Sequence, residues 1–408
     1  CAPDTPETPR RPPPGRQPVP NIATATVAAC FRIGTAPSAS RAVPVRASSA
    51  FSGAPISGRF PRNRAVRLPP PRTHRVSLCV TSASAMNTAT STGRCLTIQS
   101  HVVSGYVGNK CAVFPLQLHG FDVDPILSVQ FSNHTGYGTW RGDVMTGDQL
   151  QAIVEGLESN GLLDGYTHVL TGYIGSASML RTVARLVRKL KMLNPQLVYV
   201  CDPVLGDNGK LYVPAELVGI YRDEVVPLAT MLTPNQFEAE LLTGMTISTE
   251  NDALVACKQL LATGPTSVVL TSLDLIEHEL KNGDSSGAQH HQSHITLLGS
   301  TTEPQKGSGK AAFRIVVPRI PSYFTGTGDL CAALLLAWST KMPNQLGNAA
   351  EKAVASLQGV LRRTAIAQAE AEASGKTGIG CRELRLVQSQ DELLRPEVEE
   401  TARVTWLE

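Results

Sequence analysis

From Cys95 onward the sequence predicts an α/β fold, a mostly parallel central sheet covered by helices on both faces. Three observations carry this expectation. Short apolar, β-rich runs alternate with helical stretches, the spacing of strands joined by crossover helices. The strand runs are near-continuous in apolar residues, as a sheet buried on both faces requires. Polar residues and glycines collect just after those runs, and in a parallel sheet the strand C-termini share one rim.

The predicted strands are 96–98, 126–131, 168–171, 197–201, 231–233 and 267–271. The helical candidates are 108–118, 147–157, 177–193, 215–226, 235–242 and 251–262. Residues 280–310 break the pattern with Gly, Ser, His, Gln and Lys and hold one short β-like run at 294–298, which reads as a surface hairpin or insertion with a mobile tip. Its cluster His290, His291 and His294 suits either a metal or, more simply, a solvated loop. A β-like run at 313–317 follows, then a helix opened by Gly326-Thr327-Gly328-Asp329 and a long helix over 346–372. There is no internal repeat.

The chain has 408 residues, 42% of them hydrophobic, enough for one large domain or two small ones. Its longest apolar run, 331–338, suits a buried helix and falls well short of the roughly 18 residues that span a bilayer. Net charge is +3, but residues 1–94 carry 13 Arg against Asp4 and Glu7, a balance of +11 that leaves −8 on residues 95–408. An acidic folded part argues against nucleic acid as a partner. None of the nine Cys forms a C-x-x-C pair, which argues against a zinc ribbon or dithiol site, and several lie inside apolar runs, as small core residues of a protein in a reducing compartment.

Residues 1–94 are rich in Pro, Arg, Ser and Ala and have no persistent period, so they are expected to be a disordered extension ahead of one domain at 95–408. Arg-rich, acid-poor composition is that of an organellar transit peptide, implying plastid or mitochondrion. The first Met is Met86, so translated upstream sequence is an equal reading, implying a cytoplasmic protein.

Six segments carry chemistry. Phe324-Thr325-Gly326-Thr327-Gly328-Asp329 precedes a strongly apolar helix. Two glycines allow successive amides to point one way, and the positive helix end adds to them, a nest for a phosphoryl group in transfer. Asp329, in the first turn, is placed to accept a proton from an attacking hydroxyl. An ordinary Asp cap after a Gly-rich turn gives the same string. Thr233-Pro234-Asn235-Gln236-Phe237-Glu238 supplies neutral polar groups and, in Glu238, a carboxylate for Mg²⁺ held through water, or else a helix cap. The run from Val200 through Asp202 to Gly209 sets Asp202 and Asp207 near cations or phosphates, with a flexible loop that closes over them, or is an Asp-Pro turn. Gln99-Ser100-His101, Val129 to Gly138 and Leu170-Thr171-Gly172-Tyr173 end the remaining strands, and Phe131 can pack on a heteroaromatic ring. No Walker loop is present.

Together the stretches 100–102, 105–109, 128–137, 170–173, 197–207, 225–242 and 326–329 resemble the pyridoxal kinase family, over roughly 95–387. Residues 128–137 are highly specific for it, whereas Gly-Thr-Gly-Asp alone indicates only the ribokinase-like superfamily. The resemblance implies a ribokinase-like three-layer α/β/α fold, a homodimer, and transfer of the ATP γ-phosphate to the 5′-hydroxymethyl of pyridoxal, pyridoxine or pyridoxamine, giving pyridoxal 5′-phosphate and related vitamers. It implies Asp329 as catalytic base and Gly326, Thr327 and Gly328 as the anion hole, the last two also touching ATP. Ser100, His134 and Thr135 match polar contacts to the pyridine ring, with Val107, Val129 and Phe131 as apolar walls and Tyr173 and Tyr212 near substrate and lid. Asp202, Asp207, Thr233 and Glu238 match the cation site; Asp202, Asn235, Thr271 and Ser272 match the nucleotide site. The family uses Mg²⁺ and is helped by K⁺ or Na⁺.

Two departures bear on the lid. Asn208-Gly209-Lys210-Leu211 leads straight to Tyr212, where some relatives carry more residues, and Ile174-Gly175-Ser176 lacks a charged partner found in some. The 280–310 segment also matches poorly. A hydroxymethylpyrimidine kinase is the nearest alternative, a non-catalytic vitamin B6 binder a different class, and a sugar kinase would not need Phe131 and its apolar neighbours.

Overall fold

The computed structural model describes residues 92–275, 294–303 and 305–408. The expectations for 1–91, for Met86 and for His290 and His291 lie outside the described residues. In chain order the elements are β1 Gly93–Val102, α1 Asn109–Leu118, β2 Phe121–Phe131, β3 Gly142–Val144, α2 Gly147–Ser159, β4 His168–Thr171 and α3 Ala177–Leu193. Then come β5 Val198–Cys201, β6 Gly206–Asp207, β7 Lys210–Leu211, α4 Glu216–Ile220, β8 Met231–Leu232, α5 Gln236–Thr243, α6 Glu250–Leu261 and β9 Ser267–Leu273. The chain closes with β10 His294–Thr301, β11 Ala312–Pro318, α7 Thr327–Lys341, α8 Leu346–Ala373, α9 Gln390–Leu394 and β12 Thr405–Leu407.

The main sheet runs β12-β11-β10-β9-β8-β5-β4-β1-β2-β3. Its centre, β9-β8-β5-β4-β1-β2, is wholly parallel, and the strands added at either edge are antiparallel. Period-two alternation sends successive strand residues to opposite cores. Leu96, Val169, Tyr199, Leu232 and Val268 pack under α2–α6. Their neighbours Cys95, Leu170, Val200, Met231 and Val269 pack under α1, α7 and α8. Strands loaded on both faces explain why their sequences read as unbroken apolar runs. Helix α7 is apolar all round because it is the buried layer between the sheet and α8: Leu330 to Ala337 are all buried. Among the described residues no helix is long and apolar enough to cross a membrane.

The helix starts follow local side chains. Thr146 with Gln149, Asn235 with Glu238 and Thr249 with Asp252 form reciprocal capping boxes on α2, α5 and α6. The predicted helix over 215–226 divides: α4 stops at Ile220, a π turn spans Tyr221–Val225, and Pro227 sits in a 3-10 turn. The flexible loop expected after Asp207 is instead a two-residue hairpin joining β6 to β7. Asn208 (φ 48°) and Gly209 (φ 75°) take the left-handed conformations such a turn needs, and Asn-Gly is its strongest sequence signal. His294 opens β10, paired antiparallel to β11, so this imidazole belongs to a strand.

Candidate active site

The six parallel strands end on one side, and the segments leaving them surround a single cavity of about 1030 Å³. Ser100, Val107, Val129, Phe131, His134, Thr135, Tyr173, Asp202, Asp207, Tyr212, Thr233, Asn235, Glu238, Thr271, Ser272 and Gly326 to Asp329 all line it. Residues more than 200 positions apart in sequence are thereby brought to one place: most lie at or just past the C-terminal ends of the parallel strands, and Gly326 to Asp329 come from the segment after the antiparallel strand β11.

At the centre lies the start of α7. Gly326 is the N-cap, left-handed at φ 78°, and no side chain caps the helix, so its first amides and positive end open toward the cavity. A Cβ on Gly326 would collide with the Tyr106 carbonyl and come within 2.8 Å of Cys111 Sγ, so the turn is restricted to glycine by both conformation and space. Asp329 follows in the first turn. Its Oδ2 accepts the Gly108 N–H at 2.7 Å. Gly108, at φ 54°, presses on Ser100, and the close approach brings the end of β1 against the base. Burial pushes the Asp329 carboxyl above the usual range, against the pull of that N–H.

Beside the nest is an acid cluster. Burial, followed by the charges of Glu238 and Asp329, pushes the Asp202 carboxyl well up, while a bond from the Thr233 side chain opposes the rise. Burial pushes Glu238 up to about 7 despite bonds from the backbone N–H groups of Asn235, Leu205 and Gly206. Those bonds, at 2.9, 2.9 and 3.4 Å, show Glu238 tying α5 to the Asp202–Asp207 segment. Asn235 completes the tie: its side-chain amide donates to the Gly206 carbonyl at 2.8 Å. Asp207 accepts from the backbone and side chain of Asn208, and burial raises it too. Converging buried carboxylates that raise one another form a hard oxygen set able to take a divalent cation. Among the described residues, however, no three His, Cys, Asp or Glu side chains are placed to close on one ion. A divalent cation held here would draw most of its ligands from phosphate and water, as Mg²⁺ commonly does.

On the β1–β2 side Val102, Val129 and Phe131 form a small apolar cluster with Val107 and Tyr173 packed against it. The Ser128 hydroxyl donates to the Tyr173 carbonyl at 2.6 Å, and burial raises the Tyr173 phenol to about 12. Both ring nitrogens of His134 face protein. Nδ1 accepts the Gly136 N–H at 3.1 Å, and Nε2 lies 3.2 Å from Glu383 Oε1 and 3.3 Å from Thr325 Oγ1. Both nitrogens are thus engaged by protein groups at a residue for which the resemblance implies a polar contact to the pyridine ring.

At the far end Thr271 donates its N–H to the Pro234 carbonyl at 3.0 Å, and Ser272 is exposed at the end of β9. Sequence reasoning missed the wall opposite: Ile295, Leu297, Ile320, Val354, Leu357 and Leu361 from β10, the segment after β11, and α8. A poorly patterned β10–β11 region and one long helix gave no signal that their faces meet here. Arg319, ion-paired with Asp274, was also missed, as was Glu383, which sits behind the cavity in a stretch with no period.

A family model described as phosphomethylpyrimidine kinase matches residues 145–373. A pyridoxal kinase of Arabidopsis thaliana is 54% identical over 308 residues, 76% of this chain and 93% of that protein. The human pyridoxal kinase is 46% identical over 317 residues, 75% of this chain and 96% of that protein. Among solved structures, pyridoxal kinase from Leishmania donovani in complex with ADP and pyridoxamine has a TM-score of 0.66 at 37% identity, covering 77% of this chain and 99% of that one. Its complex with ADP and pyridoxine has a TM-score of 0.65, also at 37% identity.

Proposed function

The chain belongs to the pyridoxal kinase family, and from that membership and the site's geometry we infer that it transfers the γ-phosphate of ATP to the 5′-hydroxymethyl of pyridoxal, pyridoxine and pyridoxamine. The observation that carries the reading is the meeting of the uncapped α7 start, the Asp329 carboxylate and the Val129–Phe131 wall in one cavity. The apolar wall and the ring of His134 sandwich a flat heteroaromatic, and Ser100 and Thr135 are placed to meet its polar substituents. Asp329 Oδ2 is fixed by Gly108, which leaves Oδ1 to take the hydroxyl proton as the alcohol attacks. The amides of Gly326 to Gly328 receive the negative charge that grows on the γ-phosphoryl oxygens. Thr271 and Ser272 face the nucleotide, and the apolar wall of Ile320, Val354 and Leu357 suits its base. Asp202, with Asp207, Thr233 and Glu238 close by, would hold Mg²⁺, which supplies charge neutralisation between the phosphates when bound. Glu238 contributes field and loop position more than a direct ligand, since backbone amides already engage both its oxygens. K⁺ or Na⁺ as a second, monovalent cation and a homodimeric assembly are further parts of this reading.

The test is a direct assay. Purified protein with Mg²⁺-ATP should convert pyridoxal to pyridoxal 5′-phosphate faster than it phosphorylates hydroxymethylpyrimidine, the nearest alternative substrate. The opposite ranking would transfer the assignment to the pyrimidine. Omitting K⁺ and Na⁺ should slow turnover, and sedimentation should give twice the chain mass. For the site of action, a native start at Met86 would place the protein in the cytoplasm, and a cleaved extension would place it in plastid or mitochondrion. Intact mass of the native protein decides between them.

A further inference from the structure

One buried carboxylate outside the cavity bonds to three residues on the two segments that frame the catalytic corner. Glu383 follows the 3-10 turn Ile379–Arg382 and is 7% exposed. Its Oε2 accepts the Tyr106 N–H at 2.8 Å, and its Oε1 accepts the Tyr137 hydroxyl at 2.9 Å and faces His134 Nε2 at 3.2 Å. With His134 Nδ1 accepting from Gly136, the ring proton is on Nε2, directed at Glu383.

Each of these bonds leads to the reacting groups by one short step. The Tyr106 carbonyl packs directly on Gly326, and two residues further the Gly108 N–H holds Asp329 Oδ2. The imidazole of His134 reaches Thr325 Oγ1, the residue before Gly326. Glu383 therefore braces the Gly105–Gly108 loop on one side of the nest and the His134–Tyr137 loop on the other. Gly105 has no room for a Cβ on this carboxylate, so the fit is close from the loop side as well. Burial opposes the charge of Glu383, but the bonds from His134, Tyr106 and Tyr137 outweigh it and hold the carboxyl below its usual range.

We propose that Glu383 is a positioning residue for phosphoryl transfer: through Tyr106 on one loop and His134 and Tyr137 together on the other it fixes the place of the Asp329 carboxylate and the Gly326 turn. The inference rests on the kinase reading above. Glu383→Gln keeps size and polarity but cannot accept from all three donors, so one of them is left unpaired. Small misplacement of a reacting group costs rate more than affinity, so kcat for pyridoxal should fall about 10- to 100-fold while KM for ATP stays within about twofold. Tyr137→Phe removes one donor and spares the other two, and its kcat should fall by roughly two- to fivefold. Thermal denaturation run alongside separates position from stability, because the kcat loss should persist far below the melting point. A Glu383→Gln protein with a lower melting point but unchanged kcat overturns the proposal. If that variant does not fold, Tyr137→Phe decides it, and unchanged kcat there overturns it equally. Wild-type protein that turns over no B6 vitamer would instead sink the kinase reading, and this inference with it.

Discussion

Asp329 depends on a single backbone bond for its orientation and on burial for its basicity. Held by Gly108 at 2.7 Å and raised above the usual carboxylate range, it is matched to an alcohol proton better than a solvated Asp would be. Asp329→Asn should lower kcat by about 10²- to 10⁴-fold, the usual share of a positioned general base, with KM for ATP changed little; a stopped assay at saturating nucleotide measures it. The acids behind it make a different prediction, about pH. Asp202 and Glu238 both titrate higher in the folded chain than in a free one, Glu238 near 7. A raised carboxyl binds protons in the fold that the unfolded chain has released. Without a cation, stability is therefore fully retained below the ordinary carboxylate pKa and declines as pH rises toward 7. A divalent cation competes with those protons. The rise in melting temperature given by Mg²⁺ with a non-hydrolysable ATP analogue should be small near about pH 5.5 and larger near about pH 8, and reduced in Asp202→Asn. An increment that is equal at both pH values would remove these carboxylates from the cation site.

Elements differ in how much of their placement is local. Strand β4 was legible because all four of its residues are buried and the β-prone Val169 and Leu170 form its apolar centre, and α5 because Asn235 and Glu238 cap it reciprocally. Most rim residues were legible for the same reason, lying at or just past the end of a parallel strand, whereas Gly326 to Asp329 were legible through their own Gly-Thr-Gly-Asp string. Strands β3 and β12 were not, since each is three residues long and is defined by pairing to β2 or β11, which is a tertiary fact. Glu383 is the same case for the site, a lone acid whose three partners lie about 245 to 280 residues upstream. The β6–β7 hairpin was legible through Asn-Gly yet was read as a flexible loop, and the structure gives it a defined two-residue turn beside the cavity. Gly209→Val forces a β-branched residue into φ 75°, at roughly 1–2 kcal/mol, and should splay that turn. Raised KM for ATP with an unchanged melting point would place the hairpin over the nucleotide; unchanged kinetics would make it ornamental to turnover. In α7 the constraint is packing: Leu334→Ala, fully buried between sheet and α8, should cost about 3–5 kcal/mol in urea unfolding.

At the scale of the whole molecule, the described residues of both cores and of the cavity all lie after position 92. The sheet begins at Gly93, two residues ahead of the predicted domain start, and Thr92 already anchors it: its N–H donates to the Gly120 carbonyl at 2.8 Å and its hydroxyl to the His119 carbonyl at 2.9 Å. His119 in turn bonds Leu393 and Lys341, so this corner links the first strand to α7 and the C-terminal segment. Every group assigned a part in binding or transfer lies between Ser100 and Glu383. The +11 balance of residues 1–94 has no counterpart in the chemistry of a site lined by Asp202, Asp207, Glu238 and Asp329. A protein beginning at Thr92 should therefore keep kcat/KM for pyridoxal within about twofold and unfold at the same temperature, to within about 2 °C. Cutting instead after Arg94 removes Thr92 and the first two residues of β1, and should lower the melting temperature by several degrees while leaving kcat intact at 25 °C. A tenfold loss of activity in the first deletion would show that the basic extension enters the reaction, for instance by drawing the nucleotide's phosphates to the cavity, and would require the site to be redrawn with those arginines in it.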